Sequence, residues 1–104
     1  MSTRICALDD VAPDSAIRVD VEGHRLAVVR CGDDVYVIGD RCTHQDVSLA
    51  EGEVDCAAGT IECWKHGSTF RLDDGVPTAL PATRPTPTYP VTVVDGAVHV
   101  ELPR

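Results

Sequence analysis

Two short segments, Cys42-Thr43-His44 and Cys63-Trp64-Lys65-His66, constrain this chain more than anything else in it. Each sets one cysteine ahead of one histidine, first as C-x-H and then as C-x-x-H, with residues 45–62 between them. Two thiolates and two imidazoles carried on two matched loops are the donor set of a mixed-ligand [2Fe–2S] centre. If the loops face one another, Cys42 and Cys63 reach one iron while His44 and His66 reach the other. The pattern specifies one-electron chemistry and leaves the electron's donor and acceptor open.

The rest of the composition fits a small β protein. The chain has 104 residues, room for one domain, 1–104, and little more. Its apolar share is 43% with only 4% aromatics, so the core must be aliphatic. The abundance of valine favours strands. A core this small gains from a metal cluster that ties loops together. The formal net charge of −8 argues against nucleic acid or an anionic membrane as partner. It suits a carrier steered toward a basic docking face, although acidity also simply keeps a protein in solution. No apolar run approaches the ~20 residues that span a bilayer, and the first residues lack a signal-peptide pattern. A cytoplasmic protein with no membrane partner is the expectation.

Strand rhythm is legible at both ends. Residues 4–8 read as a first strand. Ile17, Val19 and Val21 alternate with Arg18, Asp20 and Glu22, the period-two pattern of a half-buried strand. Residues 25–31 and 35–38 follow after short turns, giving an antiparallel meander. Residues 91–94 and 97–102 form a hairpin about Asp95-Gly96, a favoured two-residue turn. Between these ends the rhythm weakens, and about residues 39–72 read as an inserted subdomain carrying both ligand segments. Short strands at residues 59–62 and 69–72 are expected to hold the second ligand segment, with a helical turn at 47–51. Five of the seven prolines (Pro77, Pro81, Pro85, Pro87 and Pro90) crowd residues 76–90. That density excludes a central strand or a helix and reads as a rigid extended loop.

The paired ligand motifs, the run Glu62-Cys63-Trp64-Lys65-His66-Gly67-Ser68-Thr69-Phe70 and the later Leu80-Pro81-Ala82-Thr83 together resemble the Rieske [2Fe–2S] family. The resemblance extends over nearly the whole chain and is nearest to the small soluble bacterial ferredoxins of multi-component non-haem iron oxygenases. It implies an all-β Rieske fold, an antiparallel β-sandwich framework with an inserted cluster-binding subdomain. It also implies one [2Fe–2S] cluster per chain on Cys42, His44, Cys63 and His66. The partners implied are a flavin-dependent ferredoxin reductase and a terminal oxygenase. Gln45, Gly67, Ser68 and Pro81 are the residues expected around the cluster, with the proline loop packed over it. The chain is then a carrier and no enzyme: it ends at Arg104 without a mononuclear-iron domain, and it lacks a G-x-G-x-x-G dinucleotide motif. A Rieske ferredoxin serving another pathway, such as iron–sulfur cluster assembly, is the alternative. A structural zinc site is a poorer one, because zinc motifs set cysteine with cysteine and histidine with histidine.

Histidine ligation leaves the cluster less negatively charged than an all-cysteine set does. Rieske potentials accordingly run from roughly −150 to +300 mV, against about −400 mV for plant-type ferredoxins. Ser68 matches a serine that donates to a cluster sulfur in high-potential relatives, whereas Phe70 stands where those relatives place a tyrosine. Their extra cysteine pair would fall at Val47 and Lys65, and neither is cysteine. Both departures point to the low end of the range and to a reducing compartment. Of the remaining cysteines, Cys6 and Cys31 read as small buried hydrophobes and Cys56 as a thiol in a polar loop. His24 and His99 read as ordinary turn and strand residues.

Overall fold

The computed structural model describes residues 2–41, 47–64, 67–78 and 84–102. Among these residues, ten strands lie in three antiparallel sheets. The framework sheet joins β2 (Ser15–Val21), β3 (His24–Cys31), β4 (Asp34–Gly39) and β8 (Thr88–Tyr89) in that spatial order. A second sheet sets β10 (Ala97–Glu101) between β1 (Ser2–Ala7) and β9 (Val91–Val94). A third, small sheet holds β5 (Val54–Asp55), β6 (Thr60–Glu62) and β7 (Thr69–Arg71). The fold is all-β and antiparallel, as the alternating pattern and the resemblance require. No helix among the described residues is long and apolar enough to cross a membrane.

The physical centre is β3. Its run Leu26, Ala27, Val28 and Val29 is buried throughout. Successive side chains of a strand point to opposite faces. Leu26 and Val28 therefore pack with Cys6, Val11, Val37, Val98 and Val100 toward the terminal sheet. Ala27 and Val29 pack with Ile38, Leu49, Ile61, Cys63, Phe70 and Leu72 toward the small sheet. One strand thus separates two apolar cores, and among the described residues the second holds the candidate ligand Cys63.

Three sequence readings change. The meander holds for β2, β3 and β4, but β1 leaves it and pairs with β10 instead, Arg4 opposite His99 and Cys6 opposite Val98. Burial on the terminal sheet's inner face rewards that closure of the two chain ends. The proline-rich segment is not all loop: Thr88 and Tyr89, between Pro87 and Pro90, form an edge strand on β4. An edge position tolerates flanking prolines because one side of the strand needs no donors. Cys31 and Cys56 are neither a lone buried hydrophobe nor a lone thiol, since they form a disulfide with Cα atoms 5.6 Å apart. Cys6 keeps a buried thiol. His24 opens β3 and meets the Tyr89 ring edge-on, with centroids 6.1 Å apart.

Candidate metal centre

The second ligand segment grows out of the small sheet. β6 runs directly into Cys63, and β7 begins one residue after Ser68. Between them the chain closes a tight turn. The Cys63 N–H donates to the Ser68 carbonyl at 2.6 Å, and the Gly67 N–H donates to the Cys63 carbonyl at 3.0 Å. Gly67 sits at φ 74°, the left-handed region in which glycine carries no side-chain penalty. Cys63 keeps its thiol and is 1% exposed, packed with Ile61, Phe70 and Leu72. Ser68 is fully buried beside it in the turn. Trp64, the next residue after Cys63, is 53% exposed. The same turn therefore presents a sheltered sulfur on one side and a large aromatic surface to solvent on the other.

The first ligand segment leaves the end of β4. Cys42, His44 and Gln45 lie outside the described residues, as do His66, Lys65 and Pro81. What is described is the pair of posts that flank residues 42–46. Arg41 bridges to Ser48 across the neck of the loop. Beneath the neck lies Asp40, fully buried. Its carboxylate accepts from Ser48 Oγ at 2.6 Å, the Ala50 N–H at 2.7 Å and Arg25 Nε at 3.2 Å. Arg18 Nε stands 3.8 Å away. Asp40 also uses its backbone: its N–H donates to Arg25 and its carbonyl accepts from Leu49. A buried carboxylate is tolerable only with such partners. Here every one of them lies in the framework sheet or in the stretch that follows the loop.

The two ligand segments are joined by the turn at Leu49–Glu51 and the residues after it. Leu49 is fully buried and packs with Cys63. The Glu62 N–H donates to the Glu53 carbonyl at 2.8 Å. Gly52 lies so close to β6 that an added Cβ would sit 1.6 Å from the Glu62 carbonyl oxygen. The proline-rich segment pins both sides. The Gly39 N–H donates to the Pro87 carbonyl, and buried Thr86 donates through Oγ1 to the Gly39 carbonyl. Pro77 bridges to Phe70 and Thr78 bonds Thr69. Residues 77 and 78 thus lie on the second ligand segment's strand, and residues 86 and 87 lie beside the end of β4.

Sequence reasoning missed Asp40, Gly52 and Thr86. For Asp40 a signal existed: an acidic residue directly after the apolar run Val35 to Gly39 and two positions before Cys42 sits where a strand must stop and a loop must be anchored. Gly52 and Thr86 carry no such signal, because their roles are close approaches between segments distant in sequence.

The donor chemistry fits an iron–sulfur group. A cysteine thiol outside the disulfide, at a glycine-containing turn, is the type of sulfur donor that an iron–sulfur cluster takes. Comparison with known proteins points to the same cofactor. The Rieske [2Fe-2S] domain family matches residues 1–90. The chain is 39% identical over 98 residues to the 3-phenylpropionate/cinnamic acid dioxygenase ferredoxin subunit of Escherichia coli (strain K12), covering 94% of this chain and 91% of that one. The ferredoxin of carbazole 1,9a-dioxygenase from Nocardioides aromaticivorans IC177 superposes with a TM-score of 0.92 at 35% identity over 96% of both chains. A ferredoxin solved in complex with the reduced oxygenase of carbazole 1,9a-dioxygenase gives 0.86 at 39% identity, covering 95% of this chain and 91% of that one.

The fold and these near full-length matches define an iron–sulfur electron carrier. The chain belongs to the Rieske [2Fe–2S] family and stands with its ferredoxins, one cluster to a chain.

Proposed function

We propose that Cys42, His44, Cys63 and His66 hold the cluster, and that the chain passes single electrons from a flavin-dependent ferredoxin reductase to a terminal non-haem iron oxygenase in the cytoplasm. The chain acts as one Rieske unit, 1–104, with about 39–72 as its cluster-binding part. The observation that carries the reading is the near full-length match to ferredoxins of aromatic-compound dioxygenases, one of them solved with its oxygenase. The bound cluster supplies reversible one-electron storage.

The protein's own residues do the rest. The buried turn of Cys63 and Ser68 keeps water from the sulfur side, and the Ser68 hydroxyl donates toward it. Gln45, Gly67 and Pro81 complete the surroundings. The histidine loops form the exit, and Trp64 beside them gives a partner apolar area at the point of closest approach. A net charge of −8 draws in a basic partner face.

The test is reconstitution. Purified protein should hold about two irons and two sulfides per chain and show, when reduced, the low average g value of histidine ligation. Reductase, this chain and a terminal oxygenase together should turn over an aromatic substrate, and omission of this chain should abolish turnover. Ser68→Ala should lower the potential. An all-cysteine EPR signature would reject the ligand set. A normal cluster with no transfer to any oxygenase would reject the pathway while keeping the carrier.

A further inference from the structure

The Cys31–Cys56 disulfide involves none of the proposed ligand residues and joins two layers of the molecule. Cys31 ends β3 in the framework sheet, while Cys56 lies in the turn between β5 and β6 of the small sheet. The turn is otherwise held locally, the Gly59 N–H donating to the Asp55 carbonyl and the Ala58 N–H to Asp55 Oδ1. Beside the packing of Val54 on the core shared with Ala27 and Val29, this disulfide is the covalent tie between the small sheet and the framework among the described residues. The cysteines are 25 positions apart in sequence. The ring they close contains Asp40, the whole first ligand segment and the turn at Leu49–Glu51, and β6 leads on from it to Cys63.

The two sulfurs differ in setting. Cys31 packs against the core that includes Cys63 and Phe70. Cys56 lies in a half-buried turn followed by exposed Ala57 and Ala58. Cys31 is half-buried as well and is followed by exposed Gly32, Asp33 and Asp34, but its packing on the core covers one side, so attack is assigned to Cys56.

We propose that Cys31–Cys56 is a thiol–disulfide exchange site for dithiol reductants, and that opening it loosens the cluster-bearing sheet from the framework. A dithiol thiolate attacks the Cys56 sulfur and forms a mixed disulfide, and Cys31 leaves as a thiolate that takes up a proton. The second thiol of the reductant then displaces Cys56. Two electrons and two protons pass to the pair, and the reductant leaves as its own disulfide. Exchange with a small-molecule disulfide reverses the reaction. Opening frees the 25-position ring from its covalent closure, so the ligand segments separate more readily and the cluster is released faster. The site gives the carrier a response to thiol redox state. The inference rests on the proposed ligand set.

The experiment uses the cluster-loaded full chain. It is held anaerobically with and without dithiothreitol at neutral pH, sampled by alkylation and mass spectrometry, and followed by visible absorbance during a mild thermal challenge. The expected result is alkylation of Cys31 and Cys56 in the native protein, with cluster loss about tenfold faster. The apparent melting midpoint should fall by about 10 °C. The double variant Cys31→Ser/Cys56→Ser should lose its cluster at the fast rate with or without dithiothreitol, which separates opening of the disulfide from iron extraction by the reagent. The proposal is overturned if the disulfide resists dithiothreitol until the protein unfolds. It is equally overturned if the native protein opens and the cluster is lost at an unchanged rate. Metal content and spectrum before reductant is added report on the ligand set separately.

Discussion

Replacing Asp40 with alanine tests how the first ligand segment is held. The carboxylate is fully buried and accepts from Ser48 Oγ at 2.6 Å, the Ala50 N–H at 2.7 Å and Arg25 Nε at 3.2 Å. Alanine removes all three acceptances at once. A buried donor stripped of its acceptor costs about 1–3 kcal/mol, and two neutral donors lose theirs here. Arg25 is less affected, because its side chain is 29% exposed and reaches water. Breaking a buried ion pair from one side costs about 3–5 kcal/mol, and the sum of the parts falls in that range. Asp40→Asn keeps one carbonyl oxygen for the Ala50 N–H and offers an amide that donates to Ser48 Oγ, so its cost should be about half as large. Urea titration of the cluster-loaded protein, followed by far-UV circular dichroism and visible absorbance, reads both variants. The alanine variant should lose cluster absorbance before its strand signal, since the damage sits under the loop neck and leaves the terminal sheet intact. A loss of stability below about 1 kcal/mol for Asp40→Ala would refute the reasoning, as would coincident loss of the two signals.

Gly52→Ala drives a Cβ against the Glu62 carbonyl oxygen, a backbone atom that cannot turn aside. It should destabilise the small sheet by about 2 kcal/mol or more and lower cluster content, read by iron analysis and thermal melting. Trp64→Ala should weaken binding to the oxygenase by about tenfold or more in titration calorimetry, with the cluster spectrum unchanged, because an exposed aromatic at an interface is a frequent energetic anchor. The pH dependence should be alkaline. Burial, then the Asp10 carboxylate, raises the Cys6 thiol above its ordinary 9.0, while Arg4 opposes. Burial likewise raises the Tyr89 phenol above 10.0. Both groups stay protonated in the folded protein after the unfolded chain would release them, so stability is full below pH 9.0 and falls as pH rises above it. Cys6→Ala should flatten the first part of that fall in melting experiments across pH 8 to 11.

The family and its cofactor were legible from the sequence because the candidate donors come in short local patterns whose order and spacing are covalent facts. The strand β2 was legible because alternation along one segment reports burial of one face, and β3, β9 and β10 were legible from the turns that bound them. Gly67 was expected beside the cluster, and its positive φ is a separate reason for glycine that the structure supplies. Tertiary structure alone decided the partner of β1, the double-sided burial of β3 and the edge strand at Thr88 and Tyr89. It also decided the seat of Asp40, the contact of Gly52 with Glu62, and the pairing of Cys31 with Cys56. Each of these is an encounter between segments far apart along the chain, and a sequence pattern records which face a residue turns inward without recording what it meets there. A strand such as β3, apolar at every position of its central run, shows no alternation to read. Its two cores were separated only when two other sheets closed on its opposite faces.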